Sequence, residues 1–144
     1  MAVYDWHNYL VFAEAAHNIG NETGFRNAVS RSYYAAYWRA RRILETGNVS
    51  IPRMKSHEFV YKSYISTVNE DNEILGELLK TLRDGRTWAD YEDAPEITQK
   101  HAEAAIKDAK DLIAYFNALT HADKSKACQA ATAIYADYVN PPRI

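Results

Sequence analysis

The chain of 144 residues carries one cysteine, two methionines, four prolines and five glycines. A single thiol cannot close an internal disulfide, which excludes a cross-linked secreted scaffold and fits a reducing compartment. Cys128 stands among alanines and reads as a packed side chain rather than a nucleophile. The sparse glycines form no phosphate-cradling loop, since Gly20 and Gly24 are followed by neither a further Gly nor a Lys. No apolar run approaches the ~18 residues of a membrane span, and MAVYDWHNYL has neither the basic nor the apolar region of a secretory signal. A protein that is soluble and cytoplasmic, without membrane contact, is expected. Excess charge of one sign is missing too: the net charge is −2, so the chain is not a globally basic nucleic-acid binder. The five histidines never stand at i, i+4 from one another, and Glu-x-x-His occurs once, at Glu14 to His17, where a di-iron bundle needs one from each of two helices. Neither a metal nor a cofactor is therefore expected.

What remains is helical. No stretch alternates cleanly enough for a strand, and no repeat of fixed period occurs. Val3, Trp6, Leu10, Ala13 and His17 recur at helical spacing up to Gly20. Asn21 or Thr23 can cap a long helix that runs through Arg26–Leu44 and stops at Gly47. Ser56 opens a short helix to about Ile65, and Asn69 to Asn72 read as a turn and cap. Ile74, Leu75, Leu78, Leu79 and Leu82 form an apolar stripe that is expected to end at Gly85. The segment from Arg86 to Glu96 then reads as a polar-aromatic connection, with Asp93 capping the next helix. That helix carries Ala104, Ala105, Ala109, Leu112, Ile113, Phe116 and Leu119. Asp123 caps the last one, which bears Ala127, Ala130, Ala131, Ile134 and Tyr138 and ends at Pro141-Pro142. The fold expected is all-α: an up-and-down four-helix bundle with an additional short helix and a C-terminal helical extension. It forms a single domain over 1–144, with the bundle core at about 3–119 and the C-terminal helix at about 123–138.

The long helix has two faces. Val29, Tyr33, Ala36, Tyr37, Ala40 and Leu44 gather on one side as core. Arg31, Tyr34, Trp38 and Arg42 form a second stripe nearly opposite, aromatic and basic at once, which an ordinary solvated face is not. Two further places combine cations with aromatic or titratable groups: His57 at the start of the short helix, and Arg86 to Tyr91 with Asp90. Arg31 is placed to reach Asp90 as an ion pair.

These residues resemble the HEPN family, in particular its small stand-alone prokaryotic members. The resemblance rests on Ser30-Arg31-Ser32-Tyr33-Tyr34-Ala35-Ala36-Tyr37, on Ser56-His57, and on LRDGRTWADY from Leu82 to Tyr91. It implies a helical homodimer. In active relatives it implies a metal-independent endoribonuclease, the toxin or effector of a toxin–antitoxin or other defence system, in which an Arg stabilises phosphorane charge and a His a few residues on moves the ribose 2′-OH proton. Arg86 matches that Arg, but five residues later stands Tyr91 rather than His. A tyrosine, with an ordinary pKa near 10, is a poor base at neutral pH. The resemblance thus implies an RNA- or nucleotide-binding dimer with an altered ribonuclease motif, partnered by a nucleotidyltransferase-type antitoxin. Candidate catalytic residues are Arg86, Tyr91, Asp90 and His57; candidate binding residues are Arg31 and Tyr34; and Tyr34, Trp38 and Arg42 are expected at the dimer seam. The alternatives are an active endoribonuclease using Arg86 with Tyr91 or His57, and a purely structural homodimerisation module.

Overall fold

The computed structural model describes residues 3–139; the Pro141-Pro142 stop lies outside them. Six helices follow in order: α1 Asn8–Asn18, α2 Glu22–Thr46, α3 Ser56–Ile65, α4 Glu70–Tyr91, α5 Gln99–Asn117 and α6 His121–Val139. Local signals set several boundaries. Gly20 takes a left-handed φ of 81° just past α1, where a side chain would be strained. Asn21 caps α2 by accepting the Gly24 amide at 2.9 Å, and Asn69 caps α4 by accepting the Asn72 amide at 3.0 Å.

The architecture is the expected helical bundle, with α2 at its centre. α1, α4 and α5 all pack on α2, while α3 lies on α4 and carries α6. The core face read from α2 is in place: Val29, Tyr33, Ala36, Tyr37, Ala40 and Leu44 are all buried. All but Val29 join Phe59, Val60, Tyr64, Leu79, Leu112 and Phe116 in one main core, while Val29 packs in a smaller cluster with Ala89, Ile97 and Ala105. Tyr64 reaches this interior because its hydroxyl donates to the Ala40 carbonyl at 2.6 Å, satisfying a polar group that would otherwise be buried at a cost. The C-terminal helix is more than an appendage, since Ala127 and Ala131 are fully buried in the same core.

Several expectations are corrected. α4 does not end at Gly85 but runs on to Tyr91, because the buried face continues through Leu82, Arg86 and Ala89 at helical spacing. Arg86, Asp90 and Tyr91 therefore stand on a helix, and the connection is only 92–98. Thr98, not Asp93, caps α5, in a capping box with His101. The reason is tertiary: Arg26 of α2 donates to the carbonyls of Ala89, Glu92 and Asp93, which holds that stretch against α2 before α5 can start. Asp123 does not cap α6. Thr120 accepts the Asp123 amide, while the Asp123 carboxylate accepts the Asn69 side-chain amide at 2.7 Å and ties α6 to the start of α4. Ser56 is not the cap of α3 either; Lys55 precedes the helix in the left-handed region and makes no side-chain cap bond. The helix α1 begins at Asn8, leaving Val3 exposed, and Ala104 faces solvent. Ile74 and Leu78, read as core, are 50% and 42% exposed.

Candidate anion-binding site at the α2–α3–α4 junction

The site begins with why His57 sits where it does. Lys55 turns the chain, α3 starts at Ser56, and His57 in its first turn is set against α2. There its ring meets three tyrosines of that helix, with centroids 5.6 Å from Tyr33, 5.7 Å from Tyr34 and 4.4 Å from Tyr37. The Tyr33 oxygen is 2.6 Å from Nδ1. Burial raises the Tyr33 pKa well above the ordinary phenol range, so the phenol keeps its proton. Donating that proton to Nδ1 pairs a buried hydroxyl that has no other partner among the described residues. The imidazole proton then belongs on Nε2. His57 is also held neutral: its pKa is pulled down to about 4, first by burial and then by the charges of Arg86, Arg83 and Arg41.

Arg86 projects from α4 onto the same cluster and is only 8% exposed. Its guanidinium lies 5.3 Å from the Tyr34 ring centroid, 5.8 Å from Tyr33 and 5.9 Å from Tyr91. Such contacts favour a cation that has lost water. Asp90, one turn on, is its carboxylate partner at 3.7 Å, and Ser30 donates to the same carboxylate at 3.1 Å. The pairing is loose, and the Nε of Arg86 has no acceptor. The buried Nε of Arg83 has none either, and that of Arg41 has only the Glu45 carboxylate at ion-pair distance, without a hydrogen bond. Arg41 donates through Nη1 to the Tyr37 hydroxyl at 3.1 Å and sits 3.5 Å from Glu45. Arg83 makes no ion pair among the described residues. The cluster thus holds three guanidiniums against two carboxylates, with spare N–H groups, beside a neutral imidazole. That is the chemistry of an anion site.

Of the expected site residues, the structure brings together Arg86, Asp90, Tyr91, His57 and Tyr34. Tyr91 is 74% exposed at the end of α4, on the solvent side of Arg86. Arg31 is not Asp90's partner. It lies over the rings of Tyr9 and Tyr34, at 5.1 and 5.9 Å, while the neighbouring Ser30 takes the carboxylate. The second stripe of α2 is not a free surface either. The segment before α1 and the first turn of α1 fold over it: Trp6 stacks on Trp38 at 4.1 Å with planes 2° apart, and Tyr9 meets Tyr34 edge-on. Arg42 spans Trp38 and Glu45. Sequence reasoning missed Tyr33, Tyr37, Arg41 and Arg83. The i, i+3 spacing of Arg83 and Arg86 was the available signal; Tyr33 read only as core. Among the described residues no group of His, Cys, Asp and Glu has metal-ligating geometry, and no helix is long and apolar enough to cross a membrane.

The depressed pKa of His57 has a consequence for stability. Above its ordinary value of 6.5 the group is neutral folded or unfolded. Between 6.5 and about 4 the unfolded chain takes up a proton that the folded one refuses, so stability falls as pH falls through that window. His57→Gln is expected to flatten that part of a denaturant-midpoint profile. An unchanged slope would mean that other groups control it.

No curated protein and no solved structure matches the chain. The HEPN domain model matches residues 11–119, a span that runs from α1 through α5 and holds α2, α3 and α4 with every residue of the cluster described above. The match covers well over half of a chain already shown to be a helical bundle, and on that ground the protein belongs to the HEPN domain family.

Proposed function

We propose that this HEPN domain is an RNA- or nucleotide-binding module, working as a homodimer, that holds phosphate at the α2–α3–α4 junction and does not cleave it. The observation that carries this reading is the state of His57. A general base at neutral pH needs a pKa near the working pH and a free nitrogen. His57 has a pKa pulled down to about 4 and its Nδ1 occupied by Tyr33. What it offers a ligand is an Nε2–H donor. Arg83 and Arg86 supply positive charge beside it, and Tyr91, exposed to solvent next to Arg86, supplies a ring on which a base can stack. The motif is altered accordingly: the family's Arg is present as Arg86, and Tyr91 stands where its relatives carry the proton-moving His. The same resemblance supports a place in a toxin–antitoxin or defence-type system beside a nucleotidyltransferase-type partner.

Fluorescence titration with labelled single-stranded RNA, with EDTA present, tests the proposal. Three guanidiniums displacing counterions give a slope of log affinity against log salt of about −2. RNA recovered from the titration is expected intact. Affinity that is flat in salt would overturn phosphate binding. Cleavage that survives EDTA and is lost in Arg86→Ala would instead establish the metal-independent endoribonuclease.

A further inference from the structure

A second surface lies away from the arginine cluster, on the outer side of α4. Val68 is fully exposed, and Ile74, Leu78 and Tyr115 are 50%, 42% and 56% exposed. Ile74 and Leu78, one turn apart, form the shared wall of two grooves. One, of about 440 Å³, lies towards Tyr115, Leu119 and Asp123; the other, of about 590 Å³, lies towards Val68, Glu73 and Glu77. No Lys or Arg lines either groove. The chain has no Lys or Arg at all between Lys62 and Lys80, a stretch that holds Glu70, Asp71, Glu73 and Glu77.

The acidic first turn of a helix has an ordinary explanation, because carboxylates there oppose the positive end of the helix dipole. It accounts for Glu70, Asp71 and Glu73 but not for Glu77, a turn further on. Glu73 and Glu77 stand at i, i+4, where like charges destabilise a helix by a few tenths of a kcal/mol. Elsewhere the surface places a cation at that spacing, as in Glu58–Lys62 and Lys107–Asp111. None of Glu70, Asp71, Glu73, Glu77 or Asp123 has an ion pair among the described residues. The chain therefore keeps two bare apolar side chains and a row of unneutralised carboxylates on one ridge, with no internal return from either.

We propose that this ridge is a docking surface for a basic amphipathic helix of a partner protein. Its apolar residues, at i, i+3/i+4 and i+7, would pack around Ile74 and Leu78 into the two grooves. Its flanking Lys and Arg would face Glu73 and Glu77 on one side and Asp71 and Asp123 on the other. A second copy of this chain is the poorer occupant: a two-fold contact sets each patch on itself, bringing carboxylate against carboxylate. The surface is separate from the phosphate-binding cluster and does not depend on it.

Two labelled synthetic helices with the same leucine pattern serve as probes, one flanked by Lys and Arg, the other by Glu. The basic helix is expected to bind at least about tenfold more tightly than the acidic one. Leu78→Ser with Ile74→Ser should abolish binding while leaving the chain folded, with only a small fall in the thermal midpoint, since both side chains are about half exposed. Glu73→Lys with Glu77→Lys should reverse the preference between the two helices. Arg86→Gln should change nothing here. Absence of binding, or binding indifferent to Ile74 and Leu78, overturns the proposal. So does a wild-type dimer that Leu78→Lys converts to a monomer, because the occupant would then be a second copy.

Discussion

Arg86→Gln is expected to weaken RNA binding about 100-fold, equivalent to roughly 3 kcal/mol, while leaving the protein folded. The size follows from where the charge sits. A guanidinium that is 8% exposed and ringed by Tyr33, Tyr34 and Tyr91 meets an incoming phosphate with little water left to displace. Gln keeps part of the side-chain volume and an N–H donor but removes the charge. Asp90, already partly solvated, retains the Ser30 hydroxyl as a partner. Arg86→Lys should recover only part of the affinity, since an ammonium lacks the planar fork that grips two phosphate oxygens. A second readout separates loss of the site from a merely structural change. Arg86 is the largest of the charges that depress the His57 pKa, so in Arg86→Gln the imidazole should titrate above about 4 by NMR. Unchanged RNA affinity in a variant whose His57 has shifted would place the ligand elsewhere.

Gly76→Ala is expected to destabilise the protein by roughly 1–3 kcal/mol and lower the thermal midpoint by roughly 5 °C. Alanine is ordinarily the better helix residue by about 1 kcal/mol, so the sign must come from packing. A Cβ at Gly76 would lie 2.7 Å from the Ile65 Cγ1, and 2.8 Å from both the Ile65 nitrogen and the Tyr61 oxygen. Two of these are backbone atoms of α3, which cannot move aside unless the helices separate. Gly85, nine residues along the same helix, gives the control. A Cβ there would meet only the Val29 Cγ1, at 3.8 Å, an ordinary contact. Gly85→Ala should therefore stabilise, by up to about 1 kcal/mol. Because α3 also carries His57, Gly76→Ala should reduce RNA affinity as well. A neutral or stabilising Gly76→Ala would mean that α3 and α4 do not approach so closely.

These two glycines illustrate how much of the molecule could be read in advance. Local chemistry was legible: Asn21 and Asn69 cap helices because each needs only the amide three residues on, and Gly20 turns the chain because only its own φ matters. The core face of α2 was legible because burial repeats with the helix period. Gly85 carried a local stop signal that the continuing buried face through Arg86 and Ala89 overrode. Asp93 and Thr98 each offered a plausible start for α5, and the choice fell to Arg26, more than sixty residues away in the chain.

The candidate site divides along the same line. Arg86, Asp90, Tyr91, His57 and Tyr34 could be named from residue type, spacing and resemblance. What could not be named was Tyr33 as the partner of His57, because its position on an apolar face makes it core by periodicity and its hydroxyl finds that partner only when α3 packs on α2. Nor could Arg31 be told from Ser30 as the partner of Asp90, a matter of some 100° around one helix. By itself the sequence determined an all-helical HEPN bundle, its central helix, and a tyrosine five residues after Arg86, since composition and period are properties of neighbours in the chain. Only the tertiary structure decided that His57 is neutral and hydrogen-bonded, that Arg86 is buried among tyrosines, and that Ile74 and Leu78 face solvent. Those properties depend on which helices meet, and on how much water the meeting removes.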